Sequence, residues 1–303
     1  MSRKRSLWIP LFALLTAACL LCLCLFARQR AGSWETLAAR LFGRGLSEQE
    51  GLRLHMIDVG QGQALLLTCN GHAAMIDTGP DDCARRTADY VWSRGVRRLD
   101  ILFLTHPHSD HCGGLEEIWD AVAVNVIATP DCPESRALLT EPGSWGDREG
   151  AKTEYISTGA RFSLGDARIT VLHPRAGEQF DDLNDLSLVL LAEYEGVRML
   201  FTGDITQTVE KRLIPLGYVQ LLQAAHHGSN SSTCEALLED ITPDAAFISC
   251  GRDNDYGHPH QKVLGRLRAN DTAVYRTDLQ GTLIAAVAEG KLSVTTERAM
   301  DPP

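Results

Sequence analysis

The sequence has no excess of basic residues, no Cys-x-x-Cys metal clip, no internal repeat and no low-complexity tract. The formal net charge of the 303-residue chain is -10, and residues 31–303 carry 24 basic against 39 acidic side chains. Nucleic-acid-binding proteins usually carry a basic stripe that neutralises phosphates. The charge balance therefore predicts modest affinity for a long polyanion, so a nucleic-acid substrate would have to be held by bound metal cations and a local basic patch.

Six cysteines lie outside the apolar N-terminal run, and their spacing does not resemble a dense disulfide scaffold. We expect them to be buried small side chains. An oxidising compartment would permit one disulfide among them, and the sequence does not assign which two cysteines would form it. Apolar residues make up 44% of the chain, enough to build a core for one large or two small domains, which argues against disorder.

The apolar run from Leu7 to Phe26 contains no charged residue and follows the basic residues 3–5. A helix of this length, at about 1.5 Å per residue, can cross a hydrocarbon core of roughly 30 Å. Basic residues before a span favour a cytoplasmic N-terminus and an extracellular C-terminal domain. We predict a single-pass membrane anchor over residues 1–27. The alternatives are a cleaved signal peptide, which would give a secreted protein, and a lipoprotein site at Cys19.

The rest of the chain divides into a polar linker, residues 28–51, and a catalytic domain, residues 52–298. Short apolar runs alternate with turn signals throughout the domain, which predicts two β-sheets. Helical patterns that should cover both sheets interrupt the runs at residues 83–94, 114–121, 205–214, 232–238 and 259–268. The predicted fold is an α/β sandwich flanked by helices. Residues 131–153 are predicted to form a long surface loop that borders a site.

Four metal-ligating side chains follow a predicted buried strand: His106, His108, Asp110 and His111. At the two-residue period of an extended chain, His106 and His108 project to the same side, and the other two follow at the turn into the next helix. Imidazole and carboxylate ligands suit Zn, Mn or Fe, and open coordination positions suit hydrolysis. Three of the ten histidines of the chain fall within this segment, so an ordinary polar loop explains it poorly.

This His-x-His-x-Asp-His segment resembles the signature of the metallo-β-lactamase superfamily, which implies a four-layer αββα sandwich with one or two divalent metal ions, Zn or Mn, at a sheet edge. Asp77 in Ala-Ala-Met-Ile-Asp-Thr-Gly resembles the family's first motif, an acid that orients the metal loop. Asp204 resembles the aspartate that bridges two metals, and His227 in His-His-Gly-Ser resembles the last ligand. Taken singly, Asp77 could cap a turn and Asp204 could cap the helix near Thr206.

The resemblance implies two ligand groups that share Asp204. We assign the first metal to His106, His108 and Asp204. We assign the second metal to Asp110, His111, Asp204 and His227. Two cations roughly 3.5 to 4 Å apart lower the pKa of a shared water towards about 7, and the resulting metal-bound hydroxide would attack phosphorus or a carbonyl carbon.

A narrower resemblance, to the metallo-hydrolase domain of ComEC-type DNA-uptake proteins, covers residues 52–296. It is carried by His55-Met-Ile-Asp58-Val-Gly-Gln-Gly62, by Asn184-Asp-Leu-Ser187 and by Tyr256-Gly-His258-Pro-His260. The chain has one apolar span instead of a polytopic channel, so the resemblance implies hydrolysis and not transport. Two departures matter. Asn184 to Ser187 replaces a histidine motif of the wider family, which would hold one metal more loosely, and Gln63 replaces a common acid.

We expect Asp110, His226 and His258 to be catalytic, with the two histidines binding phosphate oxygens or protonating the leaving group. Orienting neighbouring loops is the alternative for both histidines. The residues expected to support the ligands or contact substrate are Asp58, Gly60, Gln61, Gly62, Asp77, Asn184, Ser187, Ser229 and His260. Gly60 and Gly62 would let backbone amides approach an anion, although a tight turn alone explains them as well.

The resemblance implies a metal-dependent, extracytoplasmic hydrolase of phosphodiesters, including nucleic acid. The acidic charge instead favours hydrolysis of a small or cell-surface ester, such as a phosphocholine ester or a lactone. A third hypothesis is that the protein keeps the fold but is a non-catalytic accessory of DNA uptake. No obligate protein partner is inferred.

Overall fold

The computed structural model describes residues 50–140 and 151–299. The strands are β1 (Leu52–Met56), β2 (Leu65–Cys69), β3 (His72–Ile76), β4 (Arg98–Phe103), β5 (Ala123–Pro130), β6 (Lys152–Ile156), β7 (Arg161–Leu164), β8 (Ala167–His173), β9 (Val189–Tyr194), β10 (Val197–Phe201), β11 (Leu221–Gln223), β12 (Ala245–Ile248), β13 (Ala273–Arg276), β14 (Leu283–Ala288) and β15 (Lys291–Thr296). The helices are α1 (Ala84–Ser93), α2 (Ser109–Cys112), α3 (Leu115–Ala121), α4 (Pro133–Thr140), α5 (Gln207–Leu213), α6 (Glu235–Ile241), α7 (Gln261–Ala269) and α8 (Thr277–Gln280).

Within these residues, no helix has the length and apolar character needed to cross a membrane. The predicted anchor over residues 1–27 lies outside the described residues, as does the linker up to residue 49. Both therefore stay predictions.

The strands form two sheets. The first has the strand order β15-β14-β1-β2-β3-β4-β5-β6, and the second has the order β13-β12-β11-β10-β9-β8-β7. The strands from β3 to β6 are parallel to one another, as are those from β10 to β13. Because parallel strands end at the same edge of their sheet, the loops after β3, β4, β10, β11 and β12 are available to build one site.

The central core lies between the two sheets. Successive side chains of a strand point to opposite faces, so Leu54 and Phe103 of the first sheet pack in one cluster with Met199 and Phe247 of the second. All four are fully buried. Burying a side chain of this size stabilises the fold by about 1.5 to 3 kcal/mol, which makes this cluster a main support of the sandwich.

Two further clusters attach the helices to the outer faces. On the first sheet, Leu102 packs with Val91 of α1 and Ile118 of α3. On the second sheet, Leu200 packs in one cluster with apolar residues of α5, α6 and α7, among them Leu237. The predicted α/β sandwich, with helices on both outer faces, is confirmed.

The prediction of one long loop over residues 131–153 is wrong, because that stretch contains α4 and the start of β6. No apolar run in the sequence predicted β6, β7 or β15. All three are edge strands, so one side of each meets solvent. Residues of β15 accordingly alternate between exposed and half-buried, so the strand contains no apolar run.

The six cysteines in the described part of the chain are free thiols: Cys69, Cys83, Cys112, Cys132, Cys234 and Cys250. Five of them are buried, as the sequence analysis expected for small side chains. The thiol of Cys112 donates to the carbonyl oxygen of His108 at 3.1 Å, and that of Cys250 donates to Asp278 Oδ1 at 3.2 Å. No disulfide joins any two of these six cysteines.

Candidate metal centre

Four side chains converge where the loops after β4, β10 and β11 meet. The ligand atoms of Asp110, His111, Asp204 and His227 all lie within 4.8 Å of one another. His111 Nε2 lies 3.3 Å from Asp204 Oδ2, and His227 Nε2 lies 3.2 Å from Asp110 Oδ2 and 3.5 Å from Asp204 Oδ2. Asp110 is the one partly exposed member, and the other three are buried. The four residues assigned above to the second metal are therefore brought together.

The orphaned polar atoms of this cluster fit a bound cation. His111 Nε2, His227 Nε2 and Asp204 Oδ1 are buried and make no hydrogen bond within the described residues. An unsatisfied buried polar atom costs about 1 to 3 kcal/mol, so an arrangement of three needs a compensating partner. Imidazole nitrogens and carboxylate oxygens are common ligands of Zn and other first-row divalent metals. The donor set suits a divalent cation.

Asp77 fixes the orientation of one of these ligands. Its Oδ1 accepts the Thr105 backbone N–H at 2.8 Å, and its Oδ2 accepts His111 Nδ1 at 2.7 Å, the Thr105 hydroxyl at 2.8 Å and Gln63 Nε2 at 2.9 Å. Because Asp77 accepts the Nδ1 proton of His111, it is the Nε2 of this ring that faces the cluster, where a bound cation would take the place of the second proton. Asp77 therefore does more than cap a turn.

His106 and His108 lie beside the cluster and contact each other. His106 Nε2 is 2.9 Å from His108 Nδ1. Since the Thr105 hydroxyl donates to Asp77, its oxygen is free to accept from His106 Nδ1, 3.1 Å away, which leaves His106 Nε2 unprotonated. Two nitrogens bound to one tetrahedral zinc lie about 3.3 Å apart, so this pair has a separation close to that of two ligands of one ion.

Ser187 ties the two halves of the site together. Its hydroxyl oxygen accepts the backbone N–H of Asp204 at 3.0 Å and lies 3.2 Å from His106 Nδ1. Asp185 accepts the Thr206 N–H at 2.7 Å and so fixes the loop after Asp204. Asn184 lies in the adjacent 3-10 turn with its side-chain oxygen buried and unpaired. The N-cap of α5 is Thr206, so Asp204 is not a helix cap.

His226 and His227 lie side by side in the left-handed backbone region, with φ of 51° and 54°. This conformation costs roughly 1 to 2 kcal/mol for a residue with a side chain, and such strain is concentrated at functional sites. His227 Nδ1 donates to the Ser249 carbonyl oxygen at 2.9 Å, which turns its Nε2 towards the two carboxylates. His226 is directed to the rim, where its Nε2 lies 3.9 Å from Asp204 Oδ2.

His258 lies at the same rim, 5.7 Å from the His226 ring. Gln61 Nε2 donates to His258 Nδ1 at 3.4 Å, so the ring proton of neutral His258 is on Nε2. Burial, followed by the neighbouring His227 and His226, lowers the pKa of His258 to about 4. Burial likewise lowers the pKa of His226. Both rings are therefore neutral near pH 7, and His258 presents an N–H donor instead of a metal-binding lone pair.

The glycine-containing loop after β1 packs directly on the metal-ligand loop. A Cβ on Gly62, whose φ is 151°, would lie 2.5 Å from the Asp110 carbonyl oxygen, and that oxygen accepts the Gln63 N–H at 3.0 Å. Close packing thus accounts for Gly62, whereas Gly60 has open space around it. Asp58 pairs with Arg298 at 3.1 Å and accepts the Gly60 N–H at 3.3 Å. These contacts hold the loop and do not bring Asp58 to the cluster.

Ser229 and His260 act on the loop that carries the last ligand. The Ser229 hydroxyl accepts from Ser231 Oγ at 3.0 Å, and His260 Nδ1 accepts the Asn230 N–H at 3.1 Å. The His260 ring is 5.0 Å from that of His258. Both residues therefore lie next to the site and shape its rim.

Sequence reasoning missed three groups that orient ligands: the Thr105 side chain, the Asp185 carboxylate and the Ser249 carbonyl. Thr105 could have been found as the hydroxyl residue directly before His106 at a strand end. Asp185 lies inside a motif that was quoted for its neighbours. A backbone carbonyl such as that of Ser249 carries no residue-type signal.

The charges of the cluster compensate one another. Burial alone would lower the pKa of both inner histidines, but the carboxylates outweigh it: the pKa of His111 is raised well above its usual value, and that of His227 is raised to about 9. Burial would raise the pKa of the acids, but the histidines hold that of Asp204 well below its usual range and that of Asp110 at about 2. The carboxylates are therefore ionised at neutral pH.

A sandwich of this kind, with a His and Asp cluster at the ends of its parallel strands, defines a metal-binding protein. Residues 57–252 match the family model described as the metallo-beta-lactamase superfamily. The chain belongs to this superfamily.

Two relatives show which members of the superfamily the chain resembles. The chain is 30% identical to ComE operon protein 3 of Bacillus subtilis (strain 168) over 254 residues, which cover 75% of this chain and 32% of that protein. It is 33% identical to competence protein ComA of Neisseria gonorrhoeae over 239 residues, which cover 77% of this chain and 32% of that protein. The resemblance to ComEC-type proteins is confirmed, and the chain spans about a third of the length of these relatives.

Among solved structures, the chain is similar in fold to the metallo-beta-lactamase fold protein YhfI of Bacillus subtilis. The TM-score is 0.51 at 11% identity, over 74% of this chain and 95% of that one. At this level of identity the likeness shows the fold alone.

Replacing Asp77 with Asn should weaken metal binding roughly 10- to 100-fold, because the side chain that orients His111 loses its charge and one acceptor. Competition with a fluorescent chelator would measure the affinity. The matched control is Asp100→Asn, which changes a carboxylate paired with the exposed His72 at 3.0 Å. Equal affinities for the two variants would contradict the orienting role.

The metal-free protein should lose stability between about pH 6.5 and pH 9. The pKa of His227 is raised from 6.5 to about 9, so its stabilising charge is complete below the lower value and is lost as pH rises through the upper one. Urea unfolding of chelator-treated protein over this interval would measure the change. Added divalent metal should reverse it, because the cation binds the deprotonated nitrogen. A flat profile without metal would contradict the charge assignment.

Proposed function

We propose that this protein is a membrane-anchored, extracytoplasmic, metal-dependent phosphodiesterase that acts on nucleic acid. The observation that carries the proposal is the arrangement of the buried cluster around Asp204 with the neutral His258 and His226 at its rim. The competence proteins among its relatives support the choice of substrate class. The uncharged N-terminal run and the basic residues before it support the anchor and the extracytoplasmic placement.

Divalent cations, proposed to be Zn or Mn, would lower the pKa of a water and polarise phosphoryl oxygens when bound by these residues. The substrate would approach over Asp110, whose side chain is 35% exposed and is the most accessible of the cluster. His258 would donate its Nε2 proton in a hydrogen bond to a non-bridging phosphate oxygen. Such a donor is at its most useful in a partly dry site, because it need not lose water first.

His226 would act on the other side of the substrate. Its Nδ1 lies 3.4 Å from Ser231 Oγ and its Nε2 faces the cluster. Because this ring is neutral, it would stabilise the departing oxygen of the cleaved ester by donating a hydrogen bond and would keep its proton. Asp204 and His111 would hold their positions throughout, because Ser187 and Asp77 fix them.

Hydrolysis of a small or cell-surface ester is the second candidate. Residues 31–303 carry 24 basic against 39 acidic side chains. This negative charge favours a small substrate, because such a surface repels a long polyanion. Assays of the purified protein with single-stranded DNA, a chromogenic phosphodiester, a phosphocholine ester and a lactone, each with Mn or Zn, would decide between the two. Turnover of none of them with any divalent metal would favour a non-catalytic accessory.

Replacing His108 with Ala should abolish metal-dependent hydrolysis of a chromogenic phosphodiester while the protein stays folded, because the residue lies beside the cluster and outside the cores. Circular dichroism would verify the fold. The control His72→Ala makes the same change at a side chain that is 53% exposed and should keep full activity. Full activity of the His108 variant would refute its ligand role.

Replacing His226 with Ala should lower kcat by about 10²- to 10³-fold, the usual effect of losing one hydrogen-bond donor to a developing negative charge, with the metal content unchanged. Metal analysis and steady-state kinetics would be run on the same sample. The loss of one metal equivalent would instead make His226 a ligand and demote His227.

A further inference from the structure

A polar cavity lies beside the metal centre, separated from it by the loop that follows His227. Its volume is about 540 Å³, and its walls include Gln207, Lys211, Asn230, Glu235, Lys262 and Arg266. The side chains come from α5, from α6, from α7 and from the loop after His227. We call it the lysine cavity.

The lysine cavity gathers positive charge in an acidic protein. The whole chain contains five lysines, and two of them, Lys211 and Lys262, line this cavity. Both are exposed, and in the described part of the chain neither forms an ion pair. Arg266 adds a third positive charge and Glu235 one negative charge. An acidic protein that binds nucleic acid needs a local basic patch of this kind.

The wall shared with the metal centre is held rigidly. Asn230, three residues after His227, accepts from Gln207 Nε2 of α5 at 3.0 Å. Arg266 of α7 donates to the carbonyl oxygens of Ser232 and Thr233 at 2.9 and 2.7 Å. These hydrogen bonds therefore join the cavity wall to the loop that follows His227.

The opposite side of the same loop is tied to α5. The buried Glu210 carboxylate accepts the backbone N–H groups of Thr233 and Cys234, the latter at 2.7 Å. Gln207 N–H also donates to the Ser231 carbonyl oxygen at 2.8 Å. Both helices that carry the two lysines, α5 and α7, are thus clamped to the loop that supplies His227.

We propose that the lysine cavity binds a backbone phosphate of a polynucleotide whose scissile phosphodiester lies at the metal centre; this rests on the proposed function. A small ester with a single phosphate would occupy the metal centre and leave the lysine cavity empty. A strand with a phosphate at every nucleotide can occupy both. Lysine ammonium groups neutralise such phosphates without reading the bases, so the cavity would give affinity without sequence preference.

The test compares the double variant K211Q/K262Q with the wild type, both as full-length protein. KM for a single-stranded DNA oligonucleotide should rise several-fold, and the slope of log affinity against log salt should shrink by about 1. Turnover of a chromogenic phosphodiester, which carries one phosphate, should not change. Glu235→Gln, which removes the negative charge from the cavity, should lower KM for the oligonucleotide.

The matched control is K152Q/K291Q, which neutralises two lysines on the first sheet, and it should leave both substrates unaffected. Equal losses on the oligonucleotide and the chromogenic substrate, or no loss on either, would overturn the cavity proposal while the hydrolytic function stands. Oligonucleotide binding, measured by fluorescence anisotropy, separates the two claims. Binding that needs both lysines in a protein without turnover would support the cavity and overturn the proposed hydrolysis.

Discussion

The site depends above all on the buried carboxylate of Asp77. It accepts four hydrogen bonds, from the Thr105 amide and hydroxyl, from Gln63 and from His111. An ionised group in a dry interior is tolerated only when its oxygens are satisfied in this way. The hydroxyl of its partner Thr105 also lies 3.1 Å from His106 Nδ1. One buried acid therefore orients His111 directly and contacts His106 through Thr105.

Strands that are mostly buried could be predicted from the sequence. Edge strands with solvent-facing side chains could not. The apolar runs of β2, β4 and β9 could be predicted because β2 is buried throughout and four residues in each of the other two strands are buried. The runs of β7 and β15 are broken by solvent-facing side chains, and a pattern of mixed polarity over four to six residues is also typical of a loop. Helix α4 was hidden by the proline that begins it, since proline is a turn signal as well as a favoured first helical residue.

The candidate ligands could be predicted because their residue types are rare and their spacing is local, as in His106 to His111. The groups that hold these ligands in place could not be predicted in the same way. Ser187 reaches His106 across 81 positions, and the Ser249 carbonyl reaches His227 across 22. The first contact follows from how the two sheets stack, and the second follows from the pairing of β11 with β12 in one sheet. No spacing within one segment encodes either of them.

The contact between Gly62 and the Asp110 carbonyl has a consequence for where a ligand begins. The close packing and the hydrogen bond from the Gln63 amide hold the backbone of Asp110 and leave its side chain free to rotate. A loop that offers no metal ligand of its own therefore sets the height at which the Asp110 carboxylate enters the centre. A methyl group at position 62 would displace that carboxylate through the backbone, without touching a cation.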